Sequence, residues 1–275
     1  MQLRFRVLGS GSTGNATLVE GGGTRLLIDA GLGPRQLAER LQSAGVDPAG
    51  LDGILISHEH HDHARGAASF SARFGVKLAG SRGTYAAAGF GAAEIAGYDL
   101  LEPDQPRAFG ALTVRPLRVR HDAAGPLAFV VSLGERSLGH ATDLGQIDAA
   151  LGAALGACDA LLIESNYDPG LLREGPYPWS LKERILGPLG HLANADVARF
   201  LERGLGPGCG RLVLAHLSQK NNHPELALMA AEPALARAGR GDVRLTLAGA
   251  EGCEWVEAGP PAAVARAGRE QLTLF

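Results

Sequence analysis

The chain has 275 residues, 45% hydrophobic and 20% charged, with a formal net charge of −3. This composition belongs to a folded globular protein, long enough for one large α/β domain or two small ones, and excludes a disordered chain. A charge so close to neutral excludes a global attraction to nucleic acid, so any polyanion site has to be local. In chain order, "LRFRVLG" alternates as a strand and breaks at the turn "GSGSTGN". "ATLVE" and "TRLLIDAG" read as a hairpin around a glycine turn, and "GPRQLAERLQSAG" as a short helix. "LDGILISH" is a buried strand, "ARGAASFSARFG" a helix and "VKLAGS" a strand. "GALTVRPLRVRH" alternates over a long run, and "LAFVVSLGERSLGHATD" is a hairpin. "IDAALGAALGACDALLIESNYD" is a helix feeding a strand, followed by the helix "NADVARFLERGL" and the strand "GRLVLAHLS". The helix "NNHPELALMAAEPALARAG" and the segments "DVRLTLAG" and "CEWVEA" close the pattern. Early hairpins followed by strands interleaved with helices predict a mixed-sheet α/β domain over residues 1–257. Residues 258–275, rich in Pro and Ala, read as a flexible tail.

The N-terminus starts as a strand, with no basic region ahead of an apolar core, and no apolar run approaches a membrane span. Cys158, Cys209 and Cys253 show neither a disulfide framework nor zinc-knuckle spacing. These features predict a cytoplasmic protein with no membrane partner.

The densest chemical signal is "HEHHDH", residues 58–63. Four histidines, a glutamate and an aspartate directly after an apolar strand would be costly in a core if left unpaired. Imidazole and carboxylate at close spacing, without thiolate, suit zinc, manganese or iron and argue against a closed structural zinc site. His58, His60, Asp62 and His63 are the candidate ligands, with His61 and Glu59 as residues that orient the loop. Consecutive backbone N–H groups in "GSGSTGN" could form an anion-binding nest, which makes Ser10, Ser12 and Asn15 candidate phosphate contacts. Lys220, Asn221 and Asn222 in "SQKNN" are further candidates, with helix capping as the bland alternative. His140 rivals the other histidines as a ligand, but alternation along "SLGHATD" puts it on the face opposite Asp143, so it reads as structural.

HxHxDH after an apolar strand, preceded by "LIDAG", resembles the metallo-β-lactamase superfamily. That resemblance implies an αββα sandwich of two mixed sheets with helices on the outer faces. It implies that Asp29 supports the metal loop and that His121, Asp143 and His216 complete the ligand set. One site would hold His58, His60 and His121, the other Asp62, His63 and His216, with Asp143 bridging two divalent ions. A hydroxide between the ions would attack, and the small net positive charge left in the pocket suits a phosphodiester. Glu164 in "LLIESNYD" and His191 in "GHLANADVARFL" are similar to the glutamate–histidine pair of the transfer-RNA 3′-processing nucleases. On that analogy Glu164 orients His191, the general acid. The whole set most resembles the YycJ/WalJ branch, which implies a 5′-to-3′ DNA exonuclease in repair or replication. Two departures are Ala193, where a serine is expected, and His140, where an aromatic is usual. A small-molecule hydrolase of the same fold, acting on a cyclic phosphodiester, thioester or lactone, is the competing reading. The lack of a broad basic stripe favours it, since Arg115, Arg118 and Arg120 form only a modest ladder. A non-catalytic scaffold is disfavoured because every ligand position is retained. Finally, "QLTLF" resembles the peptide with which bacterial replication and repair enzymes dock on the DNA sliding clamp. Gln271, Leu272, Leu274 and Phe275 would be its anchors.

Overall fold

The computed structural model describes residues 2–260. β1 (Leu3–Gly9) buries Leu3, Phe5 and Val7 while Arg4 and Arg6 stay half-buried, as its alternation requires. It pairs antiparallel with β2 (Ala16–Gly21), which returns through β3 (Thr24–Ile28). After α1 (Pro34–Ser43) the chain adds β4 (Gly53–Ile56) parallel to β3. Then come α2 (His61–Ala64), α3 (Ala67–Phe74), β5 (Leu78–Gly80), α4 (Arg82–Ala87) and β6 (Tyr98–Leu100). β7 (Arg107–Phe109), β8 (Leu112–Arg118), β9 (Leu127–Leu133) and β10 (Arg136–Ala141) form an antiparallel run. They are followed by α5 (Ala149–Gly156), β11 (Ala160–Glu164), α6 (Pro169–Glu174), α7 (Trp179–Leu186) and α8 (Asn194–Arg203). β12 (Arg211–Ala215), α9 (Pro224–Arg237), β13 (Arg244–Leu247) and β14 (Val256–Glu257) complete the described chain.

The strands form two mixed seven-stranded sheets, ordered β14-β1-β2-β3-β4-β5-β6 and β13-β12-β11-β10-β9-β8-β7. Phe5, Val19, Ile28 and Leu55 of the first sheet meet Val114, Phe129, Val131 and Val213 of the second in one buried layer. The outer face of the first sheet is covered by α1 and α3 through Leu37, Leu41 and Phe70. The second is covered by α5, α8 and α9 through Leu155, Leu201 and Leu235. The result is an αββα sandwich. Among the described residues no helix is long and apolar enough to cross a membrane.

Three local differences from the sequence reading have physical causes. The expected helix "ARGAASFSARFG" is split, and its first part begins earlier, on the histidine motif itself. Gly66 at the break packs so closely that a Cβ there would sit 2.2 Å from the Leu32 carbonyl oxygen. Helices α4, α6 and α7 lie where the pattern suggested no element; α4 and α6 are short and start from the side-chain caps of Ser81 and Asp168. The packed region also extends through Ala258, which is buried and donates its N–H to the Leu3 carbonyl at 2.9 Å. Gln271, Leu272, Leu274 and Phe275 lie outside the described residues.

Candidate metal centre

Parallel strands bring their C-terminal ends to one edge of a sheet, where loops can converge on a ligand. Here both sheets do so. Asp29 follows β3, His58 lies just after β4, Asp143 just after β10, Glu164 ends β11, and His216 follows β12. Asp29, Asp143 and His216 have left-handed backbones, with φ of 63°, 58° and 52°. Among the described non-glycine residues only Asp104 shares that region, so the strained positions concentrate at this edge.

The loop after β4 is held from below. Asp29 Oδ1 accepts from the Ser57 N–H at 2.8 Å, and Oδ2 accepts from Ser57 Oγ at 2.9 Å and His63 Nδ1 at 2.7 Å. His63 therefore carries its proton on Nδ1 and turns Nε2 inward, the arrangement expected of a metal-ligating imidazole. His58 Nδ1 lies 3.0 Å from Ser57 Oγ, while His58 Nε2 is buried with no hydrogen-bond partner. Glu59 Oε1 accepts from the Ala124 N–H at 2.7 Å and braces the loop, whereas His61 is exposed. Gly31 closes the arrangement, since a Cβ there would sit 1.7 Å from the Asp62 carbonyl oxygen.

The second sheet supplies its groups singly. His121 Nδ1 donates to the Gly190 carbonyl at 3.0 Å, and its Nε2 lies 3.3 Å from His60 Nδ1. Asp143 Oδ2 is 2.9 Å from His63 Nε2, and Asp143 Oδ1 is 3.7 Å from His121 Nε2. His216 Nε2 is 3.4 Å from Asp62 Oδ2. Ligand atoms of His58, His60 and His121 form one group within 4.8 Å of one another, and those of Asp62, His63 and His216 form another. Asp143 is within the same reach of His58 and His63, and also of Glu164, His191 and His216. The donors are imidazole nitrogens and carboxylate oxygens in a buried setting. With the orphaned Nε2 of His58, they fit a divalent ion such as zinc, manganese or iron.

The electrostatics are those of a carboxylate-rich buried site. Burial opposes ionisation of Asp62 and Asp143, but the histidines around them, His216 and His63 foremost, hold both well below the usual carboxylate range. Burial likewise opposes charge on His216, yet Asp143, Asp62 and Glu164 raise it to about 10. Burial and the neighbouring His63 keep His58 well below the ordinary imidazole value. The cysteines play no part: burial pushes Cys158 up to about 12 and Cys209 up to about 11.

Glu164 is fully buried and fully engaged. Oε1 accepts from the N–H groups of Leu144 at 2.9 Å and Leu192 at 3.0 Å. Oε2 lies 3.1 Å from His191 Nδ1 and 3.4 Å from His216 Nδ1. Burial lowers the basicity of His191, but the charge and hydrogen bond of Glu164 outweigh it and raise the pKa. His191 opens, with Asp62, Asp143 and His216, into a cavity of about 260 Å³. Ala193 has no side-chain oxygen to cap α8, but Asp196 Oδ2 accepts the Ala193 N–H at 3.1 Å.

The residues expected at a phosphate separate. Ser12 and Asn221 line the cavity. Ser10, Asn15 and Asn222 do not; their polar atoms are engaged by the fold. Ser10 Oγ accepts from the His216 N–H at 2.7 Å. Asn15 Oδ1 accepts from the Gly11 N–H at 2.9 Å, and its amide donates to the Asp62 carbonyl at 3.2 Å. Asn222 donates to the Ser165 and Asn166 carbonyls at 2.8 and 3.1 Å. His140 sits outside every ligand group, 3.2 Å from Thr17 Oγ1, with burial lowering it to about 4. The parity argument does not explain this, because β10 ends at Ala141, before Asp143 is reached. Sequence reasoning missed Ser57, adjacent to the motif, and Asn166, whose amide donates to the His216 carbonyl at 2.9 Å. It also missed the cavity wall from α7, which no periodicity signalled.

Residues 24–216 match the model of the Beta-lactamase superfamily domain. The chain is 34% identical over 242 residues to "Exodeoxyribonuclease WalJ" of Streptococcus pneumoniae, covering 86% of this chain and 90% of that one. It is 33% identical over 243 residues to "Exodeoxyribonuclease YycJ" of Bacillus anthracis, covering 88% and 92%. The fold is similar to that of the metallo-beta-lactamase fold protein YhfI from Bacillus subtilis, with a TM-score of 0.72, 18% identity, and coverage of 94% of this chain and 100% of that one. Strand-end ligands on two facing sheets, a matching family model and relatives aligned over nearly their full length place the chain in the metallo-β-lactamase superfamily, beside the WalJ and YycJ proteins.

Proposed function

We propose that the chain is a metal-dependent exodeoxyribonuclease that degrades DNA from the 5′ end, in repair or replication, within the cytoplasm. The observation that carries this reading is the Glu164–His191 pair, 3.1 Å apart and opening into the same cavity as the candidate ligands. A hydrolase with an easily expelled leaving group has little need of such a proton donor. The relatives named as exodeoxyribonucleases support the substrate class.

In this reading His58, His60 and His121 would hold one divalent ion, and Asp62, His63 and His216 would hold a second, with Asp143 in reach of His58 and His63 from either group. Zinc or manganese suits the donors, and iron is a third choice. Bound there, the ions would polarise the phosphate and lower the pKa of a coordinated water. Glu164 Oε2 accepts a hydrogen bond from His191 Nδ1–H and fixes the ring. His191 Nε2 then holds the proton that the departing oxygen receives. Asp29 keeps His63 Nε2 facing the centre. Ser12, which lines the cavity, would meet a phosphate. The hydrolase domain runs from residue 1 through the packed Ala258 and the rest is a tail, in which Gln271, Leu272, Leu274 and Phe275 dock on the sliding clamp. The clamp assignment rests on the sequence pattern alone.

The test is digestion of end-labelled DNA and RNA by purified protein, with and without divalent metal, alongside elemental analysis. Metal-dependent loss of nucleotides from the 5′ end of DNA, with about two equivalents of metal, is expected. Protein that binds metal but leaves DNA whole would end this reading.

A further inference from the structure

The cavity beside the ligands has one wall that none of the preceding chemistry uses. It is built by Leu181, Arg184 and Ile185 of α7, the preceding Tyr177, and Leu217 to Asn221 after His216. On α7, Leu181, Arg184 and Ile185 share one face at helical spacing, while Trp179 and Glu183 hydrogen-bond to each other on the opposite side. The wall is tied to the catalytic groups at several points. The His191 N–H donates to the Ile185 carbonyl at 3.1 Å, His121 Nδ1 donates to Gly190, and Arg184 is paired with Asp122, the neighbour of His121. A group resting on this wall is therefore fixed relative to His191.

Resting on the nuclease reading, we propose that this wall is a subsite for one unpaired terminal nucleotide. The base lies against Tyr177, Leu181 and Ile185, and Lys220 holds the adjoining phosphate. Three observations support the assignment. First, about 260 Å³ is slightly below the usual range of small-ligand pockets, which begins at about 300 Å³, and so matches the scale of one nucleotide. Second, the polar groups divide by chemistry. Of the two side-chain cations lining the cavity, Arg184 is neutralised by Asp122, while Lys220, exposed and above the Tyr177 ring at 5.5 Å, has no carboxylate partner among the described residues. Third, Tyr177, Leu181 and Ile185 line the same cavity and give it an aromatic and apolar face, which suits a base. The free ammonium of Lys220 suits the adjoining phosphate. An apolar and aromatic platform beside a cation is how unpaired strands are gripped without regard to sequence.

The test compares kcat/KM on single-stranded DNA bearing a normal or an abasic 5′-terminal nucleotide, and on a blunt duplex. Metal-loaded wild type, Tyr177→Ala, Leu181→Ala, Lys220→Ala and Lys220→Arg are assayed, with metal content as the check on folding. Wild type should prefer the base-bearing end on the order of 10- to 100-fold, and should cut the single strand faster than the blunt duplex. Tyr177→Ala and Leu181→Ala should each reduce that preference toward one, chiefly through KM on the normal strand. Lys220→Ala should slow the normal and abasic strands alike and weaken the salt dependence, with Lys220→Arg restoring both. Wild type indifferent to the terminal base, a preference that survives both wall variants, or equal rates on single strand and duplex would overturn the subsite and leave the nuclease reading standing. Wild type that leaves every substrate whole would overturn the nuclease reading and the subsite with it.

Discussion

The two sheets contribute to the centre in different ways. The first supplies His58, His60, Asp62 and His63 from one loop, already converging because they are close in the chain and locked by Asp29 and Ser57. The second supplies His121, Asp143, Glu164, His191 and His216 from separate loops and strand ends, brought together only when its strands are in register. Closeness in the chain therefore brings half of the donors together, with one strand-to-strand anchor at Asp29. The other half depends on long-range packing, and the Glu164–His191 pair lies there.

The largest effect should come from Asp143→Ala. Among the described residues it is the one whose carboxylate lies near candidate ligands of both groups, 2.9 Å from His63 Nε2 and 3.7 Å from His121 Nε2. Elemental analysis should show loss of bound metal, and nuclease activity should fall to background. Retention of full metal content would break the idea that the two halves meet at this residue. Next is His191→Ala, which should cut turnover on DNA by ~10²–10⁴-fold with metal content unchanged. A substrate with a nitrophenolate leaving group should suffer less, because that group departs without a proton. Metal loss in His191→Ala would instead make His191 a ligand, in line with its place in the group with Asp143, Glu164 and His216.

The smallest effect concerns the seam between the sheets, where His140 of β10 meets Thr17 of β2. Burial lowers His140 to about 4 in the folded chain from an ordinary 6.5. Between those values the unfolded chain binds the proton and the folded chain does not, so stability falls as pH drops from 6.5 toward 4. The depression corresponds to on the order of 3 kcal/mol. His140→Phe should remove this contribution, so its melting temperature should decline less than that of wild type between pH 7 and pH 5. Parallel declines would show that His140 does not titrate this way.

The alternating strands were legible because each has one apolar face, and the histidine cluster because its density has no cheap structural explanation. The αββα arrangement and the singly supplied residues Asp29, His121, Asp143, Glu164, His191 and His216 could be named only through family resemblance, since nothing in local spacing brings them together. What stayed hidden has physical reasons. Ser10, Asn15 and Asn222 are residue types that serve a bound phosphate and a tight loop equally well, and only the hydrogen bonds decide. Helix α7 is short and mostly exposed, so no apolar periodicity marked the cavity wall it carries.

The left-handed backbone at Asp29, Asp143 and His216 restricts how this centre can vary. Each position meets two demands, tolerance of that backbone and a polar atom at the right reach, which is a hydrogen-bond acceptor at Asp29 and a candidate metal donor at Asp143 and His216. Aspartate, asparagine and histidine are enriched in the left-handed region among residues that carry a side chain. Glutamate or cysteine, sound donors elsewhere, would bear a conformational penalty on top of altered reach. The vocabulary of substitution at these three strand ends is thus narrower than coordination chemistry alone would allow. Drift among relatives that keep this backbone should move within that small alphabet.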